Sequence, residues 1–340
     1  MPEATGTSRE IRLAASPAGL PQPGDLAVAE TPLPVPGQGE VLVRNRFFTV
    51  FAALRTLLGG GVPGAPFPGL RLGDTLFGPA IGEVITAPQD SCLHQGDLVS
   101  HMLGWREYSA MKATECQLVG DVLPDPVAHL AQGVTAYGAL TRVAQIRLGD
   151  AVFVSGGAGS VGSMAGQIAR LLGASRVIGS TGSPGKAGRM ISELGYDAAV
   201  VRGTAPIAEQ LAKAVPGGID VFFDNVGGED LQAAISAARQ KARFVLVGAL
   251  SGQLSLHGGG TTAPVEVDSF QVILKQLTMA GYSAQGDRGL PQEWAGHFAD
   301  WLRSGRIHFP HTRVEGIEQA PQALHDMLAG RYLGTVVVAL

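Results

Sequence analysis

Hydrophobic and polar positions follow two textures along the chain. In the first third, apolar residues come in short runs at 11–15, 40–50, 82–87, 96–102, 105–110 and 117–120, with glycine and proline between them. In the 40–50 run Val41, Val43 and Phe47 have strand spacing. Many short strands separated by such turns predict an all-β, partly open barrel. The polar first ten residues are expected to be disordered. The Pro/Gly-rich stretches 17–39 and 62–73 are expected to be irregular. From Pro126 the period changes. Residues 129–143 have helical spacing. Strands (151–155, 176–179, 198–201, 220–224, 242–247) then alternate with helices (186–194, 207–214, 231–238). That alternation predicts a doubly wound parallel sheet. Residues 281–283 are expected to close the sheet, 293–304 to form an amphipathic helix and 335–340 a final strand. The fold class is α/β, with domains over 1–125 and 126–297 and a return to the first over 298–340.

The densest signal is AVFVSGGAGSVGSMAGQIARLLGA, residues 151–174. A β-rich run precedes Gly157, Gly159 and Gly162, spaced G-x-G-x-x-G. Val161, Met164, Ile168 and Leu171/Leu172 then recur at helical spacing. With 48 glycines in 340 residues, roughly one such pattern arises by chance, so the strand–turn–helix context carries the assignment. Gly157 is expected to make the tight turn, Gly159 to admit a pyrophosphate, and Gly162 to let the helix pack close. Ser160 and Val161 open the helix N-terminus, whose N–H groups favour phosphate. An NAD site places an acidic residue about 20 positions on. Here the stretch reads IGSTGSPGK: Ser180, Thr181 and Ser183 leave room for a 2′-phosphate, Lys186 supplies charge, and Arg189 and Arg202 follow. The pattern predicts NADPH rather than NADH.

Composition narrows the class further. A net charge of −4 gives no footprint for nucleic acid, and no apolar run is long enough to span a bilayer. The two cysteines, Cys92 and Cys116, are not flanked as zinc ligands, and no G-H-E motif occurs. No leader pattern opens the chain, and a cytoplasmic protein with no metal is expected.

With these pieces placed, the chain resembles the zinc-independent medium-chain dehydrogenase/reductases, in the prostaglandin reductase/leukotriene hydroxydehydrogenase group of NADPH-dependent alkenal/one reductases. GVTAYGAL, VSGGAGSVGS, GIDVFFDNVGGE and VLVGALSG carry the resemblance. It implies a GroES-like barrel joined to a Rossmann domain, an active site in the cleft between them, and a homodimer joined through the Rossmann sheets. It places the pyrophosphate on the glycine turn and the 2′-phosphate on Lys186. It sets Asn225, Gly248, Ala249, Leu250 and Ser251 around the nicotinamide half, with Thr135 close by and Tyr282 also on the cofactor. Four positions depart from the family. Arg202 replaces a tyrosine beside the adenosine phosphate, and Gln253 replaces a tyrosine proposed as proton donor. Residues 51–55, FAALR, replace D-P-Y-M-R, and Tyr332 replaces an asparagine.

The implied chemistry is hydride transfer to the β-carbon of an enal or enone, with a proton delivered to the α-carbon. His257, Tyr108, Tyr137 and Tyr282 are the polar aromatic candidates near the reacting carbonyl. His257 and Tyr108 are the catalytic expectations, while Tyr137 is expected to pack on Rossmann helices. Solvent or a ribose hydroxyl could also deliver the proton. Residues 252–264 read as a lid or a linker. An NADPH:quinone reductase and a cofactor-binding relative without turnover are the competing readings.

Overall fold

The computed structural model describes residues 6–64, 67–120, 122–255, 260–284 and 286–340. The chain opens with an antiparallel pair, β1 (Thr7–Leu13) and β2 (Leu26–Pro32). Disorder is expected over residues 1–10, of which 1–5 lie outside the described residues, and irregular chain over 17–39. Ile11 and Leu13 explain the difference, because both are buried in the barrel core. The prolines of the second stretch flank LAVAET and do not interrupt it, so the ladder survives.

The barrel sheet follows. It comprises β3 (Glu40–Val50), β4 (Ala80–Thr86), β5 (Leu98–His101), β6 (Tyr108–Lys112) and β7 (Gln117–Leu118), with helix α1 (Leu54–Leu58) after β3. A strand expected from residue 105 starts only at 108. Trp105 takes a left-handed φ of 64°, is fully buried, and packs its ring 5.1 Å from that of Phe48. That inward turn delays the strand.

The second unit begins at α2 (Gly133–Gly138), which runs into a π-helical turn over Ala139–Val143. Then come β8 (Ala151–Val154), α3 (Ser160–Leu171), β9 (Arg176–Thr181), α4 (Pro184–Leu194), β10 (Ala198–Val201), α5 (Ile207–Ala214), β11 (Ile219–Asp224), α6 (Gly228–Ala237), β12 (Ala238–Leu246), α7 (Leu250–Gln253), α8 (Ser269–Lys275), β13 (Thr278–Gly281) and α9 (Leu290–Arg303). The parallel sheet has the order β10-β9-β8-β11-β12-β13, the doubly wound arrangement whose crevice opens where the strand order reverses, between β8's two neighbours. β13 starts three residues before the expected 281–283 stretch and ends two residues before that stretch does, leaving Tyr282 just beyond its end.

The chain then returns to the barrel through β14 (His311–Glu315), α10 (Ala320–Leu328) and β15 (Thr335–Ala339). β15 pairs antiparallel with β3 and parallel with β14. Two apolar clusters pack the faces of the parallel sheet and a third fills the barrel. The protein is a two-domain α/β fold. Among the described residues, no helix is long and apolar enough to cross a membrane.

Candidate active site

The strand–turn–helix core sits at the reversal point. β8 is buried along its whole length by Ala151, Val152, Phe153 and Val154, and it delivers Ser155 and the glycines to the sheet's C-terminal edge. The left-handed residue of the turn is Gly156 (φ 60°), not Gly157. Gly157 is needed for a different reason: a Cβ there would lie 2.6 Å from Met190 Cε and 3.0 Å from the Tyr196 hydroxyl. At Gly159 the nearest atom to a Cβ is the Gly156 carbonyl oxygen at 3.3 Å, so this face is the most open of the three. At Gly162 a Cβ would lie 2.2 Å from that same carbonyl. The helix therefore presses its third residue onto the turn. Gly159 caps α3, and Ser160, Val161 and Gly162 are its first three residues, whose N–H groups have no partner within the helix.

The barrel domain seals this turn from the other side. Gly334 N–H donates to the Ala158 carbonyl at 2.9 Å, and Gly159 and Gly334 form a parallel bridge. The Ser160 and Thr335 hydroxyls lie 2.6 Å apart. Gly334 has φ 78°, and a Cβ there would meet the Pro310 carbonyl oxygen at 2.0 Å. Sequence reasoning passed over Gly334. Its only signal was a glycine immediately before the last strand.

At the end of β9 the expected hydroxyls turn inward. Ser180 is fully buried; its Oγ accepts the Gly156 N–H at 3.0 Å and its carbonyl accepts the Gly157 N–H at 2.8 Å. Thr181 is buried too, its Oγ1 accepting the Ser183 N–H at 3.3 Å. These side chains shape the turn, bonded back onto its N–H groups. The cations project. Lys186 Nζ donates to the Gly330 carbonyl at 2.6 Å. Burial first, and then the charge of Arg202, push its ammonium pKa down. Arg202 lies 3.6 Å from the carboxylate of Asp230 through its Nε, which is buried without a hydrogen bond. Arg189 pairs instead with Glu193 on the helix surface. Two cations near enough for one charge to act on the other, following the strand beside the glycine turn, are the chemistry of a phosphate site. The residues present thus fit a dinucleotide carrying an extra phosphate.

The other half of the crevice is built from the ends of β11 and β12. Asp224 is buried, and one carboxylate oxygen accepts from the Ser155 hydroxyl (2.7 Å), Val226 N–H (2.9 Å) and Gly227 N–H (2.8 Å). Burial outweighs those donors and raises its pKa. Asn225 Nδ2 donates to the Ser155 carbonyl at 2.8 Å. Gly248 packs on the Asn225 backbone, where a Cβ would lie 2.7 Å from its carbonyl oxygen. Ala249, Leu250 and Ser251 continue into α7, with the Leu250 and Ser251 N–H groups bonded to the Asn225 and Val226 carbonyls. Thr135 is half-buried in α2. The Tyr282 hydroxyl is buried without a partner and points at α2, 1.9 Å from where a Cβ on Gly138 would sit. Its phenol therefore packs between helices.

On the barrel side, Phe51 lies against Gly78, its ring 2.6 Å from a Cβ placed there. Arg55 is fully buried, and burial lowers its pKa. Gln253 Nε2 donates to Thr56 Oγ1 at 3.3 Å, and Thr56 donates to the Gly260 carbonyl at 3.0 Å. α1 and α7 are thereby tied. The Tyr332 carbonyl lies 3.5 Å from Lys186 Nζ. His257 lies outside the described residues. Tyr108 is opposite Arg44 on β3, six residues before that strand's Val50 end. Tyr137 packs against Trp294 and bonds Glu293 at 2.6 Å. No group of three or more His, Cys, Asp or Glu side chains among the described residues is arranged to hold a metal ion.

Comparison with known proteins agrees with this architecture. Residues 9–119 match the family model described as the N-terminal domain of oxidoreductase, and residues 160–304 match the one described as zinc-binding dehydrogenase. The chain is 32% identical over 330 residues to prostaglandin reductase 1 of Mus musculus, covering 94% of this chain and 95% of that one. It is 29% identical over 340 residues to the NADPH-dependent curcumin reductase of Escherichia coli (strain K12), covering 97% and 96%. The crystal structure of CurA in complex with NADPH from Vibrio vulnificus matches with a TM-score of 0.88 at 31% identity, covering 97% of this chain and 98% of that one.

Proposed function

The chain belongs to the zinc-independent medium-chain dehydrogenase/reductases, in the prostaglandin reductase and alkenal reductase group, and we propose that it reduces the C=C bond of α,β-unsaturated aldehydes and ketones. It is an oxidoreductase, and its cofactor is NADPH. The observation that carries the reading is that β9 ends in Ser180 and Thr181, where an NAD site would hold a carboxylate, with Lys186 on the following helix and Arg202 after β10. Full-length likeness to a curcumin reductase and a prostaglandin reductase supports a conjugated carbonyl as the acceptor.

In this reading Gly157, Gly159, Ser160, Val161 and Gly162 hold the pyrophosphate, and Lys186 and Arg202 hold the 2′-phosphate. Bound there, NADPH supplies the hydride. Asn225, fixed by the Ser155 carbonyl, and the turn of Gly248, Ala249, Leu250 and Ser251 set the position of the nicotinamide half, with Thr135 behind it. Phe51 and Leu254 join the apolar cluster beneath α1, a surface that excludes water from the acceptor. Neither carries an acid; the proton reaches the α-carbon from a cofactor ribose hydroxyl or from a solvent molecule admitted at the mouth of the site.

The test follows loss of NADPH, and separately of NADH, against an aliphatic enal, an aryl enone and a quinone. Saturated carbonyl products with NADPH are expected. Turnover confined to the quinone would make the protein a quinone reductase. Cofactor binding without turnover would leave it a binding protein.

We also propose that two copies associate through the β13 edge of the parallel sheet. Phe270, Ile273 and Leu274 on the adjoining α8 are 72%, 69% and 61% exposed.

A further inference from the structure

Asp230 is a buried charge that nothing in the sequence pattern singles out. It is the third residue of α6 and only 1% exposed. One carboxylate oxygen has no hydrogen-bond partner, and the other lies 3.6 Å from Arg202 Nε, itself a buried atom without a hydrogen bond. Burial raises the carboxyl's pKa, while the neighbouring Ser180 hydroxyl and Arg202 favour its ionised form. Ser180 is the residue whose hydroxyl accepts the Gly156 N–H of the glycine turn. Asp230 therefore stands between the turn and the arginine. The charge of Arg202 in turn acts on Lys186, which is already held by the Gly330 carbonyl.

A guanidinium has five N–H donors in a rigid fork. A carboxylate at its Nε edge leaves the Nη edge free for a second anion, and a buried partner fixes that orientation more firmly than water does. We propose that Asp230 is the positioning residue for cofactor selection, orienting Arg202 by its Nε edge so that the Nη edge meets the 2′-phosphate beside Lys186. The inference rests on the reading that this phosphate sits between Lys186 and Arg202.

The probes are 2′,5′-ADP and 5′-AMP, which differ only in the 2′-phosphate. Their affinities are measured by calorimetry on the full chain, with thermal melting alongside. The wild type should prefer 2′,5′-ADP. Asp230→Asn keeps the shape and removes the charge. It should lower 2′,5′-ADP affinity about fivefold, the scale of one ion pair held without a hydrogen bond, and leave 5′-AMP within about twofold. In an Arg202→Met background the same change should leave the ratio unaltered. Arg202→Lys keeps the charge and deletes the Nε–H, so it should lose selectivity too, and it decides the matter if Asp230→Asn does not fold. An unchanged ratio in Asp230→Asn, equal losses in both backgrounds, or full selectivity in Arg202→Lys would overturn the assignment of Asp230 alone. No preference in the wild type would overturn the phosphate reading itself, and this inference with it.

Discussion

Lys186 is a half-buried ammonium held by the Gly330 carbonyl, more distantly by that of Tyr332, and repelled by the guanidinium of Arg202, so a dianion beside it relieves a repulsion as well as adding an attraction. Lys186→Ala should weaken NADPH binding about tenfold or more, the scale of a lost charge-assisted contact, and leave NADH nearly unchanged; fluorescence titration with each cofactor measures the difference. A second titratable residue bears on stability. Burial first, and the charge of Arg106 second, push the pKa of His101 down to about 4, with its Nδ1 accepting the Leu103 N–H at 3.1 Å. The folded pKa lies below the unfolded one of about 6.5. The neutral ring therefore contributes its full stability above pH 6.5 and loses it as pH falls through 6.5 towards 4. Between pH 7.5 and 5.5 this residue should cost about 1 kcal/mol. Denaturant unfolding at the two values should show that loss, and His101→Leu should reduce it by the same amount.

The α3 element shows why three glycines that look alike in sequence are not equivalent. Gly162→Ala drives a methyl into the Gly156 carbonyl, backbone against backbone, where neither side yields. It should destabilise the fold by about 3 kcal/mol and weaken NADPH and NADH binding alike, unlike Lys186→Ala; chemical denaturation and paired titrations separate the two. The element itself was legible because an apolar strand, a glycine turn and a 3.6-residue period follow each other without a break. The assignment of roles within it was not. Gly156, adjacent to the fingerprint, takes the left-handed turn, and no pattern distinguishes it from Gly157. The β1–β2 pair was hidden because its apolar residues are few and prolines crowd its ends. α8 was hidden because its apolar side chains face solvent, where no amphipathic period marks a core-facing stripe. Asp230 escaped for a related reason, and Ser180 was legible as a small residue at the strand end but not as the hydroxyl that holds the turn. Their importance lies in a contact across 50 residues, between the end of one strand and the first turn of a distant helix.

For the whole molecule, the unexplained surface is the β13 side of the parallel sheet. β13 is the last strand in the order, so it presents one row of N–H and C=O groups that the sheet does not pair. Beside it α8 carries Phe270, Ile273 and Leu274, and Met279 lies within the strand at 36% exposure. Large side chains exposed together on one edge are the mark of an association surface. The partner that fits an open strand edge flanked by its own apolar helix is a second copy, because a two-fold axis sets each edge against its equivalent and closes the assembly at two. The protein should therefore elute at about twice its 35.1 kDa chain mass in size exclusion with light scattering. Ile273→Asp places two like charges at that axis and should yield the monomer, while 2′,5′-ADP affinity stays within about twofold, since α8 packs chiefly on β12 and α6 and the residues assigned to the phosphates lie on neither. A variant that remains a dimer would place the interface elsewhere. A wild type that elutes as a monomer would leave this edge to a different protein.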